Sequence, residues 1–103
     1  MANKYMYLYL GGGAPPASEA EGKAMMSAWM AYFGKLGPAL VEGGAPFAPN
    51  SKILGKGAAS GASGYSIVTA DGLDKAIAMT EGHPHIAHGG GVEVFELAKV
   101  PGM

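Results

Sequence analysis

All the histidines of the chain sit in one stretch, His83-Pro84-His85-Ile86-Ala87-His88. Imidazole gains and loses a proton near neutral pH, so one of these side chains can serve as a general acid or base. His85 is the first candidate, and the plainer reading makes it a loop residue hydrogen-bonded to backbone carbonyls. Metal binding is the competing chemistry, with three imidazoles and Glu93 as the ligands. Pro84 stiffens the stretch, and the spacing is not the helical H-E-x-x-H pattern. The expectation is therefore no metal and no cofactor. Glu42 stands in an otherwise apolar run, where burial would raise its pKa and make it a base; the plainer reading turns it outward. Ser66 is either a donor to a ligand or a solvent-facing hydroxyl. Trp29, Phe33, Met25 and Met26 can wall an apolar pocket or simply pack the core. A buried Trp29 would need a partner for its indole N–H.

These residues are carried by a simple succession of elements. Tyr5–Leu10 alternates aromatic and aliphatic residues as a strand does, with Tyr5, Tyr7 and Tyr9 on one face and Met6, Leu8 and Leu10 on the other. Gly11-Gly12-Gly13 and Pro15-Pro16 break it. Ser18 and Glu21 have the spacing of a capping box, and the helix that follows is expected over Glu19–Leu36. Its apolar stripe is Met25, Trp29, Phe33 and Leu36, flanked by Met26, Met30 and Tyr32, and Gly37-Pro38 ends it. A second strand is expected over Ala39–Phe47, with Gly43-Gly44 marking a bulge or close backbone approach. Pro49–Gly64 is a long loop or short hairpin offering only Ile53 and Leu54 for burial, and a lid is one role for it. Tyr65–Ala70 is the third strand. Asp71 caps a short helix with Leu73, Ala76, Ile77 and Thr80 as its buried stripe, and Gly82 and Pro84 close it. Val92–Ala98 is the fourth strand.

Composition narrows the function. The chain has 103 residues, a formal net charge of −1 and no cysteine. That excludes disulfides, thiol nucleophiles and Cys-ligated metal. All seven basic residues are lysines, so the bidentate reader of phosphates and guanine edges is missing and nucleic acid is not expected as a partner. The apolar run at Tyr5–Leu10 is too short to cross a membrane, so no membrane association and a cytoplasmic location are expected. Gly55-x-Gly57-x-x-x-Gly61 is not a dinucleotide fingerprint, and Gly22-Lys23-Ala24 is not a phosphate-binding loop.

The order β-α-β-β-α-β fits a four-stranded antiparallel sheet with both helices on one side, an α+β fold of ferredoxin-like type in a single domain. Neither face of the first strand is made for water. A two-fold homodimer is expected, stacking the tyrosine side of one sheet on its copy.

Several short motifs resemble a known family. They are Lys4-Tyr5-Met6-Tyr7-Leu8-Tyr9, Trp29, Gly44-Ala45-Pro46-Phe47, Gly64-Tyr65-Ser66-Ile67-Val68, Asp74-Lys75-Ala76 and His83-Pro84-His85 leading into Gly91-Val92-Glu93-Val94. In order and spacing the chain resembles the YCII-related (DGPF-type) family over nearly its whole length. The resemblance implies a dimeric α+β barrel with a pocket between sheet and helices. Some similar proteins move protons, in isomerase- or lyase-like reactions, on cyclic or chlorinated aromatic breakdown products. The family's suggested catalytic pair is a histidine in the first helix and an aspartate after the second strand. Trp29 stands in place of that histidine, and Gly44-Ala45-Pro46-Phe47 lacks the aspartate, so the pair does not carry over.

The expected site therefore puts His85 as acid/base at the mouth of a small-molecule pocket formed by Trp29, His83, His88, Tyr65, Ser66 and Glu42. A non-catalytic binding or assembly module of the same fold is the alternative.

Overall fold

The computed structural model describes residues 3–11, 17–48 and 50–99. The expected break at Gly12-Gly13 and Pro15-Pro16, and Pro49, lie outside the described residues. Strand β1 is Asn3–Leu10 and helix α1 is Glu19–Leu36, followed by a single 3-10 turn at Gly37–Ala39. Strands β2 (Leu40–Glu42) and β3 (Ala62–Ala70) come next, then helices α2 (Leu73–Ala78) and α3 (Pro84–Ala87), then strand β4 (Gly91–Glu96). The strands make one antiparallel sheet in the order β2-β3-β1-β4. This α+β arrangement is compatible with a ferredoxin-like fold.

Local chemistry explains the ends of α1. The Ser18 hydroxyl accepts the Glu21 N–H at 3.1 Å, and the Glu21 carboxylate accepts the Ala17 N–H at 3.1 Å. These bonds satisfy donors that the first helical turn leaves open. At the other end Gly37, at φ +55°, returns its N–H to the Phe33 carbonyl. Tyr32 and Leu36 are buried, while Trp29 and Phe33 are half-buried against the same core.

The orientation of β1 corrects the sequence expectation. Tyr5, Tyr7 and Tyr9 do not form an outer, dimerising side. They are buried in the core that α1 and α2 cover. Alternation could not decide this, because both sides of the strand are apolar. Polar tips decide it: each ring is taken from water while its hydroxyl keeps a partner. The Tyr5 hydroxyl donates to Glu96 at 2.9 Å, Tyr7 to the Ala76 carbonyl at 2.5 Å and Tyr9 to Ser66 Oγ at 2.5 Å. The open side of the sheet carries Met6, Leu8 and Leu10 instead. Across it, Met6 pairs with Ile67 on one flank and Phe95 on the other.

Other elements differ in extent. β2 stops at Glu42 because Gly43-Gly44 turns the chain away, and pairing resumes only as one bridge between Pro46 and Gly64. β3 starts earlier, at Ala62, and β4 spans Gly91–Glu96 rather than Val92–Ala98. Gly72, not Asp71, is the N-cap of α2, with no side-chain cap bond. The six-residue α2 makes fewer than two turns. It buries Ala76 and leaves Leu73 and Ile77 exposed. The segment before β3 is largely exposed, Ile53 and Leu54 included.

Two tyrosines hold the end of α2 in place. Tyr7 takes up the Ala76 carbonyl, and the Tyr32 hydroxyl donates to the Met79 carbonyl at 2.9 Å. The Ala76 carbonyl lies in the last turn and Met79 is the C-cap, where a helix runs out of its own donors. Burial pushes the Tyr7 phenol up to about 12 and the Tyr32 phenol above its usual value, so both hydroxyls keep their protons to donate. Tyr7→Phe is expected to destabilise the fold by about 1–3 kcal/mol, because a buried carbonyl loses its donor. Urea unfolding should show a lower midpoint with an unchanged slope.

Candidate functional site

A cavity of about 470 Å³ opens between α1 and the edge of the sheet. Its volume falls in the range of small-molecule sites. Trp29, Phe33, Met26 and Met30 of α1 form one wall. Tyr9 of β1 and Ser63, Gly64 and Tyr65 of β3 complete the lining. The segment Gly43–Pro46 closes one side and His85 stands at the other. The lining is mostly apolar, and among the described residues His85 is its one imidazole.

Glycine permits the approach of Gly43–Pro46 to β3. Gly44 lies at φ +73°, and a Cβ there would overlap the Tyr65 carbonyl. Gly64 faces the same crossing, where a Cβ would come within 3.0 Å of the Ala45 carbonyl. The crossing is held by Phe47 N–H to the Ser63 carbonyl at 2.7 Å and Tyr65 N–H to the Ala45 carbonyl at 3.3 Å. The close backbone approach expected of Gly43-Gly44 is thus found, and it builds the cavity wall.

The two inner histidines are ordered by different bonds. His83 precedes α3 as its N-cap, with its Nδ1 accepting the His85 N–H at 3.1 Å. An amide can only donate, so the proton of the neutral His83 ring is on Nε2. His85 Nε2 lies 3.0 Å from the Leu10 carbonyl. A carbonyl can only accept, so this nitrogen carries the proton and Nδ1 is the basic one. The His85 ring also lies on Tyr9, with centroids 5.2 Å apart. Gly90 makes room for it: a Cβ there would overlap the imidazole at Nε2, Cδ2 and Cε1.

His83 is 1% exposed and enclosed by aromatic rings. Tyr32 lies 4.4 Å away between centroids, Tyr9 and Trp29 each 5.1 Å, and Tyr7 6.1 Å. Burial, helped by the nearby His85, pushes its pKa down to about 4. Its Nε2 is buried without a hydrogen-bond partner among the described residues. Such an orphan donor is uncommon and costly in a folded protein.

The structure therefore brings His85 and Trp29 together; Tyr65 touches the lining, but its pairing opposite Leu8 directs its side chain toward the open side of the sheet. His83 lies behind Trp29 and Tyr9 rather than in the lining. Ser66 is buried below, accepting from Tyr9 and donating to the Gly43 carbonyl at 2.7 Å. Glu42 is exposed and accepts the Tyr65 hydroxyl at 2.7 Å, which raises the Tyr65 pKa; it orients that ring from outside the cavity. His88 is exposed and outside the lining. Glu93 is exposed on β4, opposite Leu8 on the open side of the sheet. Among the described residues no three His, Cys, Asp or Glu side chains gather as a metal site would require. No described helix is long and apolar enough to cross a membrane. Sequence reasoning missed Tyr9 as part of the cavity lining and Gly90 as the clearance for His85. The run Gly89-Gly90-Gly91 was the available signal for Gly90.

Compared with known proteins, the chain matches no family model and no curated protein.

Two outcomes follow from this geometry. The unfolded chain protonates His83 at its ordinary value near 6.5, whereas the folded chain resists until about 4. The unfolded state therefore binds the extra proton first as pH falls. Stability is full above 6.5 and declines toward 4, by on the order of 3 kcal/mol for this group. Chemical denaturation at stepped pH should show the decline, and His83→Phe should flatten it. Gly90→Ala is expected to swing the His85 ring off the Leu10 carbonyl while leaving the sheet intact. Imidazole resonances of His85 should move while amide shifts of β1 and β3 change little.

Proposed function

We propose that this chain is a YCII-like homodimeric domain that takes a small cyclic or aromatic molecule into the cavity beneath α1, with His85 moving a proton on it. The observation that carries the reading is the pairing of an aromatic-walled cavity with a histidine whose tautomer is set by a backbone carbonyl. Aromatic faces and methionine sulfurs suit a flat, weakly polar ligand. No cofactor is needed for such proton transfer.

Support for the dimer comes from the open side of the sheet. Ile67, Met6 and Phe95 form a row across three strands there, with Leu8 adjoining. Stacking two such sheets about a two-fold axis removes this surface from water. Light scattering should give about twice the 10.4 kDa chain mass, and Leu8→Glu should give the single-chain mass.

One observation favours a second reading, a binding module without catalysis. The group orienting His85 is a neutral carbonyl, which stabilises a charged imidazolium less than a carboxylate does. Phenol and benzaldehyde probe the cavity in nitrogen–proton correlation spectra, and deuterium uptake by cyclohexanone separates the two readings. Both readings expect shifts at Met26, Trp29, Gly44 and His85, and roughly tenfold weaker binding in Trp29→Ala. Only the enzyme reading expects ligands with an acidic C–H to take up deuterium from solvent, in a manner lost with His85→Gln. Shifts confined to other surfaces would overturn both.

A further inference from the structure

The buried edge of His83 has no role in the cavity described above, yet its surroundings tie it to that cavity. Its Nδ1 is committed to the His85 N–H, so its Nε2 carries a hydrogen that meets no acceptor among the described residues. Leaving such a donor buried costs about 1–3 kcal/mol, and a group of this kind calls for an explanation. Trp29 and Tyr9 line the cavity and also meet the His83 ring edge-on, at 5.1 Å each. The imidazole therefore lies directly behind the inner wall. Trp29 is only half-buried, so its side chain has solvent on one side into which to turn.

We propose that His83 is a second catalytic residue, and that the substrate is a small cyclic ketone or enone whose carbonyl oxygen accepts the His83 Nε2–H once Trp29 turns aside. This rests on the reading of His85 as a proton carrier and names the substrate class for it. Both tautomers fit. His85 Nδ1 takes a proton from the carbon next to the carbonyl. The C–H bonding electrons form the C=C bond of the enolate, and the carbonyl π electrons move to oxygen. The His83 N–H stabilises that oxygen without giving up its hydrogen. His85 then returns the proton to the same carbon, or to the far end of a conjugated system, which shifts a double bond. No oxidant or reductant enters. Electrophilic hydrogen bonds of this kind act best from neutral donors in dry surroundings, which is the condition in which this imidazole is held.

Cyclohex-3-enone is the probe, with its conversion to the conjugated cyclohex-2-enone followed by ultraviolet absorbance. The wild-type chain should accelerate the shift above a matched imidazole buffer. His85→Gln should remove the acceleration, and His83→Phe should lower kcat about a hundredfold. Because His83→Phe alters the core, its fold is checked by circular dichroism. An independent readout uses the intact protein: saturating cyclohexanone should move the His83 Nε2–H resonance downfield. Conversion that depends on His85 while this resonance stays fixed would overturn the role of His83 and leave the cavity reading standing. Conversion unchanged in a folded His83→Phe would do the same. Cavity shifts with no conversion above buffer would overturn the enolisation proposal and favour the non-catalytic module. Absence of any shift in the cavity with either ketone would overturn this proposal, and the phenol and benzaldehyde spectra would then judge the cavity alone.

Discussion

The structure depends on how β1 disposes of its tyrosines. A ring taken from water is strongly stabilising, but its hydroxyl must find a partner or much of that gain is lost. Each of the three hydroxyls finds one: a carboxylate on β4, a carbonyl at the end of α2 and a serine on β3. These bonds do more than satisfy the phenols. They fix β4, α2 and β3 relative to the central strand, and Tyr32 repeats the device from α1 through the Met79 carbonyl. The α2–α3 segment, with its two inner histidines, receives tyrosine hydroxyls at one end and the His83–His85 cap at the other.

That support has a chemical effect. Because His83 is enclosed by four aromatic rings, it is kept neutral. Because it is neutral, its Nδ1 is free to accept the His85 amide and cap α3. Because α3 is capped, the His85 ring reaches the Leu10 carbonyl at the end of β1. The chain of contacts begins and ends on the same strand, so the tyrosine row and the candidate base share one rigid support.

Much of this was legible in the residues. The capping box at Ser18 and Glu21 marked the observed start of α1 and Gly37-Pro38 its end, because capping is local chemistry. The β-α-β-β-α-β order followed from turn residues and periodicity, and Gly43-Gly44 announced a close approach. The face of β1 was not legible. Tyr-Met-Tyr-Leu-Tyr-Leu is apolar on both sides, and only the acceptors supplied by distant residues choose between them. The α2 stripe was legible only in part: of the expected residues Ala76 is buried, while Leu73 and Ile77 stay exposed. Of the expected site, His85 and Trp29 converge, while Tyr65 meets the lining from a strand position whose side chain shares the face of Leu8. His83 is close but hidden, and His88 is outside, since three histidines on a tight turn cannot all point one way.

The strand order also bears on how the chain reaches this state. β1 sits between β3 and β4, so the earliest described strand has no neighbour from its own half of the sequence. Its partners are Ala62–Ala70 and Gly91–Glu96, and every rung of those ladders joins residues far apart along the backbone. Such pairings bear a heavy loop-closure cost before any reward arrives, which slows assembly relative to locally wired folds. Until the last strand docks, the β4-facing edge of β1 stays an unpaired ribbon of tyrosine, methionine and leucine. The same row that organises the finished molecule is thus its most association-prone surface while the chain is still searching for its shape.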